Sequence, residues 1–193
     1  MTAARRRPAM TGYEYQPLTA DQLRGLPLSL HRLYRRCRAG PPWLETDEEH
    51  AAYPARLADH LDQPGTHGIV ATDAVELVGV VYGWPVSATQ PGSPFEKVVY
   101  AAVPPGLRHI LAAPAVRVVE LMVDPAHQGR GIGRSLLIQL TAGCPAAWLC
   151  THPDSPARHL YESAGWRRLA RLTSSAGTPL LVYGCLPPPG RDR

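Results

Sequence analysis

The sequence VVELMVDPAHQGRGIGRSLL, residues 118–137, decides the fold of this chain. It opens with an apolar run in which Glu120 is the single acid. Asp124-Pro125 then ends the run, as expected of a buried strand that meets a turn. A glycine-rich loop at 128–133 follows, and apolar residues then recur at helical spacing, at Leu136, Leu137 and Leu140. The stretch therefore predicts a strand, a loop and a helix, in that order.

The loop has the features of an anion-binding site. Glycines remove side-chain bulk, and the free N–H groups of a helix's first turn point toward a ligand with the positive end of the helix dipole. Arg130 and Arg134 add positive charge to the same turn. The alternative is a glycine turn with a purely conformational role. Neither GxxxxGK[ST] nor GxGxxG is present, which excludes two common phosphate loops.

Two motifs carry a family resemblance. Gln128–Gly133 fits Gln/Arg-x-x-Gly-x-Gly/Ala and follows the lead Val123-Asp124-Pro125. Downstream, residues 156–166 resemble Ala-x-x-Leu-Tyr-Glu-x-x-Gly-Phe, with Trp166 in place of the usual Phe. In order and separation the two motifs resemble those of the GNAT acetyltransferase superfamily.

Length and composition set the class of protein. The 193 residues, 45% of them apolar, suit one domain with a sizeable core. A net charge of +4 and a pI near 9.0 suit a polyanionic cofactor but are too small to indicate nucleic acid. Four scattered cysteines indicate reduced thiols and a cytoplasmic location. No apolar run approaches the ~18 residues that span a bilayer, so no membrane partner is expected.

The pattern and the resemblance together predict one α/β (α+β) GNAT-like domain at 11–186, between a disordered tail at 1–10 and a C-terminal tail at 187–193. Its sheet is expected to be mixed, mostly antiparallel, of about seven strands, splayed at the centre and covered by helices on both faces. One helix is predicted from Thr19 to about Ala39 and a second over 45–62. Residues 87–114 are expected to shape the acceptor site, with an inert excursion as the alternative.

The resemblance implies an acetyl-CoA site. Pyrophosphate would bind the loop formed by Gln128, Gly129, Arg130, Gly131, Ile132 and Gly133, next to Arg134. Pantetheine would bond to the main chain of Leu121, Met122 and Val123. Asp154 stands where relatives often have Asn; because an ionised carboxylate cannot donate a hydrogen bond, its contact with the cofactor is in doubt. No metal is expected, since His127, His152 and His159 do not form a ligand pattern.

Two residues are candidates for proton transfer. Tyr161 is the predicted general acid, because a phenol with an ordinary pKa of about 10 keeps its proton at neutral pH and can give it to a leaving thiolate. The alternative is a core tyrosine. Glu120 is the candidate base as the lone acid in an apolar strand. Its alternative role is an ion pair with Arg117 or another arginine.

The predicted reaction is transfer of acetyl from acetyl-CoA to a primary amine by direct attack in a ternary complex. The rival is a non-catalytic acyl-CoA binding or sensing module, which needs the loop but not Tyr161. DNA binding would depend on Arg5–Arg7 alone. Nothing in the sequence identifies the amine acceptor or distinguishes a monomer from a homodimer.

Overall fold

A computed structural model describes residues 12–88 and 92–186 as a single α/β domain. The tails predicted at 1–10 and 187–193, with Arg5–Arg7, lie outside these residues. Seven strands form one mixed sheet in the order β1-β2-β3-β4-β5-β7-β6. In chain order the strands are β1 (Glu14–Thr19), β2 (His67–Thr72), β3 (Leu77–Pro85), β4 (Val116–Val123), β5 (Ala147–Thr151), β6 (Arg167–Thr173) and β7 (Pro179–Cys185).

Helices cover both faces of the sheet, as the sequence predicts. One face packs against α5 and α6, and the opposite face packs against α1, α2 and α3 at one end and α4 at the other. Among the described residues, no helix is both long and apolar enough to cross a membrane. The helices are α1 (Ala20–Arg24), α2 (Pro27–Arg38), α3 (Asp47–Leu61), α4 (Pro94–Ala102), α5 (Ile132–Thr141) and α6 (Ala157–Ser163).

The first helix predicted from sequence is in fact two helices, so that prediction is wrong. α1 ends at Arg24, with Gly25 as its C-cap, and α2 begins at Pro27. Proline lacks the N–H that an uninterrupted helix would use and is favoured in a first turn, so it starts a new helix here. The second helix was predicted well, because Thr46 forms a capping box with Glu49.

The sheet splits between β4 and β5. These parallel strands pair only at Val116↔Ala147 and Arg117↔Trp148 and then diverge. On its other side β4 pairs with β3 along its whole length, although the register shifts between Tyr82 and Gly83. The shift leaves Val119 as an extra residue, which is a β-bulge. The splayed centre expected from the sequence is therefore present.

Gly83 permits the close approach of β3 to β4 at the bulge. A Cβ atom at this position would lie 2.1 Å from the carbonyl oxygen of Arg117. Any other residue would push the two backbones apart. The bulge, and with it the direction of the Glu120 side chain, depends on this glycine.

Candidate active site

A cavity of about 650 Å³ fills the gap between β4 and β5. Its walls come from β4, the loop that precedes α5, the end of β5 with the start of α6, and the last turn of α2 with the segment 40–43. β4, the glycine loop and the start of α5 thus form one side of the cavity. The last turn of α2 and the segment 40–43 form the other.

The glycine loop presents unsatisfied backbone donors to this cavity. Gly129 and Gly131 have left-handed φ angles of 74° and 81°, and a Cβ atom on either would meet nothing within 4 Å. Within the described residues, the backbone N–H groups from Gly129 to Arg134 have no acceptor; the first helical bond of α5 runs from Ser135 N–H to Gly131. A run of free N–H groups at the N-terminus of a ten-residue helix is suited to a phosphate group.

Gln128 braces the loop. Its Nε2 donates to the carbonyl oxygen of Val123 at 2.9 Å, and the thiol of Cys37 donates to the same oxygen at 3.3 Å. That carbonyl therefore has both of its lone pairs occupied. Gln128 fixes the loop to the end of β4, and Val123 has its N–H rather than its carbonyl left for a ligand.

The two loop arginines point in different directions. Arg130 does not line the cavity; it donates to the Tyr13 hydroxyl at 3.0 Å and to the carbonyl of Ala126 at 3.3 Å. Arg134 lines the cavity and donates to the carbonyl of Ser163 at 3.2 Å, at the end of α6. Of the two side chains, only that of Arg134 faces the space where a phosphate would bind.

The main chain of β4 alternates in direction, as antiparallel pairing requires. Asp124 N–H bonds to Val78 in β3 at 2.9 Å, so the main-chain groups of Met122, two residues earlier, also face β3. Those of Leu121 and Val123 face the gap. Because pairing with β5 ends at Arg117, the Leu121 groups have no strand partner. The structure thus places Leu121 and Val123, but not the Met122 main chain, toward the cavity.

Tyr161 lies on α6 at the cavity wall. The side chain is 5% exposed and packs against Trp166 and Tyr183, with ring centroids 6.0 and 5.7 Å away. Its hydroxyl has no hydrogen-bond partner among the described residues. Burial raises the pKa of Tyr161 well above its ordinary value, and the charge of Glu120 raises it further. The phenol therefore keeps its proton at neutral pH.

Glu120 lines the same cavity and forms an ion pair with Arg38 on α2. The two side chains are only 9% and 14% exposed. Burial, the largest single effect, lowers the pKa of Arg38, but the charge and hydrogen bond of Glu120 together with Tyr34 and Glu45 raise the pKa above its ordinary value. Arg117, the partner considered from sequence, pairs instead with Glu96 at 3.2 Å. Glu120 thus combines an ion pair with a position at the cavity.

Other candidates lie away from the cavity. The Asp154 side chain is 79% exposed and does not line it. The described residues of 87–114 do not line it either; this segment contributes α4 and a 3₁₀ turn at Pro105–Leu111, which pack on Trp148, Leu169 and Val182. No group of three or more His, Cys, Asp or Glu in the described ranges could hold a metal.

Sequence reasoning missed the contribution of α2. Arg38 is 82 residues from Glu120 in the chain, and no motif surrounds it. Cys37 and Cys150 also line the cavity, where burial raises the pKa of each thiol to about 12. The one sequence feature that indicates a role for α2 is the run of arginines at the end of a predicted helix.

Comparisons with known proteins agree with this geometry. The profile of the Acetyltransferase (GNAT) family matches residues 28–166. A sequence comparison with curated proteins gives no significant match. Among solved structures, many chains share the fold.

Three of these structures illustrate the likeness. A GNAT-family acetyltransferase from Desulfovibrio desulfuricans is 19% identical, with a TM-score of 0.60 over 91% of this chain and 99% of that one. The ribosomal-protein-S18-alanine N-acetyltransferase of Escherichia coli is 14% identical, with a TM-score of 0.59 over 94% and 99%. The PaiA N-acetyltransferase of Thermoplasma acidophilum, in complex with coenzyme A, is 12% identical, with a TM-score of 0.56 over 89% and 98%. At such identities the likeness shows the fold.

Proposed function

The chain belongs to the GNAT acetyltransferase family, and we propose that it transfers the acetyl group of acetyl-CoA to a primary amine. The observation that carries the proposal is the run of free N–H groups from Gly129 to Arg134, which opens into the gap between β4 and β5. A diphosphate needs several donors and an unobstructed backbone, and this loop offers both. In the proposal, Arg134 adds its charge from the neighbouring turn.

The gap itself suits pantetheine. The main-chain groups of Leu121 and the N–H of Val123 are available on its β4 side, so an extended amide-bearing chain can bond there in place of a strand. Bound in this way, acetyl-CoA would supply the activated acyl group. A backbone N–H of β4 near the bulge would then polarise the thioester oxygen.

Proton transfer is assigned to Tyr161 and Glu120. The buried phenol of Tyr161 holds a proton that it can give to the departing thiolate at the cavity wall. A raised pKa guarantees that the proton is present but lowers the driving force for its transfer. Glu120, on the α2 side of β4, accepts the proton of the incoming amine directly or through water.

Direct attack by the amine is favoured over a covalent acyl-enzyme. Cys37 and Cys150 are the thiols that line the cavity in the described part of the chain, and the pKa of each is raised to about 12 by burial. Neither is a thiolate at neutral pH, and a thiol is a poor nucleophile. Both substrates must therefore be bound together.

We also propose that residues 11–186 form the catalytic domain and that it works in the cytoplasm. The described cysteines are free, and free thiols persist in a reducing compartment. Export of the full chain would contradict the location, and loss of activity on trimming either tail would contradict the domain limits.

The substitution Tyr161→Phe tests the function. With an amine panel and acetyl-CoA, we expect kcat to fall by about 10²–10⁴, the usual contribution of a general acid, while calorimetry gives an unchanged affinity for CoA. A non-catalytic acyl-CoA binding module predicts CoA binding with no thiol release from either protein.

Tyr183→Phe is the matched control. Tyr183 belongs to the same aromatic cluster, but its hydroxyl donates to Glu162 at 2.7 Å and does not line the cavity. Its removal should leave kcat within about twofold. An acetyl adduct on the enzyme, detected by mass spectrometry before amine is added, would contradict direct attack.

A further inference from the structure

The acceptor side of the cavity contains a built pair of opposite charges. Arg38 Nη2 donates to Glu120 Oε1, which joins the end of α2 to the bulged part of β4. Both side chains are largely buried and both line the cavity. Ion pairs this poor in water contact are uncommon unless they organise a core or meet a ligand.

Each partner of the pair has unused hydrogen-bonding capacity. Nε of Arg38 is buried and without a partner, and Nη1 makes no hydrogen bond within the described residues. Oε2 of Glu120 likewise makes no hydrogen bond or ion pair within the described residues, since the pair uses Oε1. Nε is buried out of reach of a ligand, so a bound acceptor group would use Nη1 instead. A free donor and a free carboxylate oxygen therefore lie side by side at the cavity.

Aromatic rings hold the guanidinium of Arg38 in place. The Arg38 guanidinium lies 3.8 Å from the ring centroid of Trp43 and 5.5 Å from that of Tyr34. Trp43 in turn contacts His152 edge to face at 5.7 Å, across the gap at the end of β5. These contacts fix the direction of the guanidinium and leave it little freedom to turn toward other partners.

The charges around the pair are largely compensated. Glu120 is the single acidic side chain among the described residues that line the cavity, and Arg38 already neutralises it in part. Arg36, which also lines the cavity, is paired with Asp124 at 2.7 Å and with Glu76 at 3.6 Å. A substrate with several ammonium groups would therefore find one carboxylate on the cavity lining, and that carboxylate is already paired.

From these observations we propose that Arg38 and Glu120 together recognise an acceptor that carries a carboxylate beside its amine, as a free amino acid does. The carboxylate accepts hydrogen bonds from Arg38, and the amine donates to Oε2 of Glu120. This assignment rests on the proposed acetyl transfer and specifies its acceptor class.

The match is one of charge and of geometry. A zwitterion supplies an acceptor for the unused donors and a donor for the unused oxygen at once, so that neither charge is buried alone. An amine without a carboxylate leaves the Arg38 donors unsatisfied. The N-terminus of a protein and a lysine side chain both lack the adjacent carboxylate.

The test compares each of the common L-amino acids with its amide, using acetyl-CoA and thiol release as the readout. We expect at least one amino acid to exceed its amide by about tenfold or more in kcat/KM, the loss that one charge-assisted hydrogen bond represents. Amides preferred over acids, or turned over equally well, would overturn the inference and leave the acetyl transfer standing. The same holds if CoA binds and no amino acid reacts.

Arg38→Lys then separates recognition from structure. Lysine keeps the charge opposite Glu120 but lacks the guanidinium donors, so the ratio between acid and amide should fall toward one. Arg35→Lys is the matched control, because Arg35 lies on the same helix, is 58% exposed and pairs with Asp47 at 3.4 Å. It should keep the wild-type ratio.

An unchanged ratio in Arg38→Lys would show that Arg38 has only a structural role. If this variant fails to fold, the ratio measured for the wild-type protein decides the question alone. A protein that binds no CoA in calorimetry would contradict the proposed function itself, which is a separate outcome.

Discussion

At the scale of single residues, the site depends on backbone conformations that few side chains tolerate. Gly129 and Gly131 both adopt left-handed φ angles at the loop, and neither has a neighbour that an added methyl group would hit. The effects of substituting these two glycines on folding and on ligand binding can therefore be measured separately. In the proposed function, a phosphate would occupy the open space beside these two glycines.

Gly131→Ala is expected to have two effects. It should lower the free energy of unfolding by about 1 kcal/mol, because an L-residue is strained in the left-handed region. It should also weaken CoA binding at least about tenfold, since the new methyl group enters the phosphate position. Gly177→Ala provides the control: Gly177 has the same φ of 81° and equally open surroundings, but lies in the β6–β7 turn. Equal CoA affinities for the two variants would contradict the prediction.

His60 makes the stability of the fold depend on pH. Burial, together with the charges of Arg117 and Arg56 and against the opposing effect of Asp59, lowers its pKa to about 4. Its Nδ1 lies 3.1 Å from the hydroxyl of Tyr82. Between pH 4 and 6.5 the unfolded chain binds a proton at this histidine and the folded chain does not. Stability from His60 is therefore fully present above pH 6.5 and is lost as the pH falls toward 4.

The size of this effect is at most about 3 kcal/mol, from the difference between the two pKa values. Urea unfolding of the wild-type protein and of His60→Gln, repeated between pH 4 and 7, measures it. The variant should show a shallower rise of stability with pH. Parallel curves for the two proteins would indicate that His60 binds a proton equally in the folded and unfolded chains, and would contradict the prediction.

At the scale of elements, local patterns predict most helices and strands, whereas contacts between distant elements are not predictable from the sequence. β4, its loop and α5 follow from apolar spacing and glycine, which act over a few residues. The break before Pro27 is also a local feature, but the leucine pattern on both sides of it predicts one continuous helix. The Arg38–Glu120 pair joins two elements far apart in the chain, and no short-range pattern encodes such a contact.

Residues 87–114 illustrate the same limit. The segment is expected from sequence to shape the acceptor site, and the structure shows that it forms α4 at Pro94–Ala102. Its location was not predictable, because the apolar face of a helix does not specify which part of a sheet it covers. α4 packs near β6 and β7, and the wall of the cavity across from β4 is formed by α2 and the segment 40–43 instead.

At the scale of the whole molecule, the sheet consists of two parts with a narrow seam. β1 to β4 form one part and β5 to β7 the other, and only two residue pairs connect them through strand hydrogen bonds. Beyond Arg117, where pairing with β5 ends, the main-chain groups of Leu121 have no partner on the β5 side. Sheets are normally strengthened by continuous ladders, so local opening is expected to be easier along this seam than where strands pair over their whole length.

CoA is expected to strengthen the seam. Amide hydrogen exchange should slow on both sides of it, at Leu121 to Val123 and at Leu149 to Thr151, when CoA is added. Slower exchange is the expected result because ligand bonds add to the free energy of local opening. Adenosine diphosphate, which would fill the phosphate loop but not the seam, is the control. Equal protection by both ligands would contradict the prediction.

Under the proposed function, the diverging strands would give the coenzyme a mechanical role as well as a chemical one. It would bridge two parts of a sheet that share few strand hydrogen bonds. Proteases attack opened chains, so a cell short of this metabolite would be expected to retain less of the enzyme, with no dedicated regulator needed. Turnover of the protein, followed after coenzyme depletion, would reveal whether supply and abundance are linked in this way.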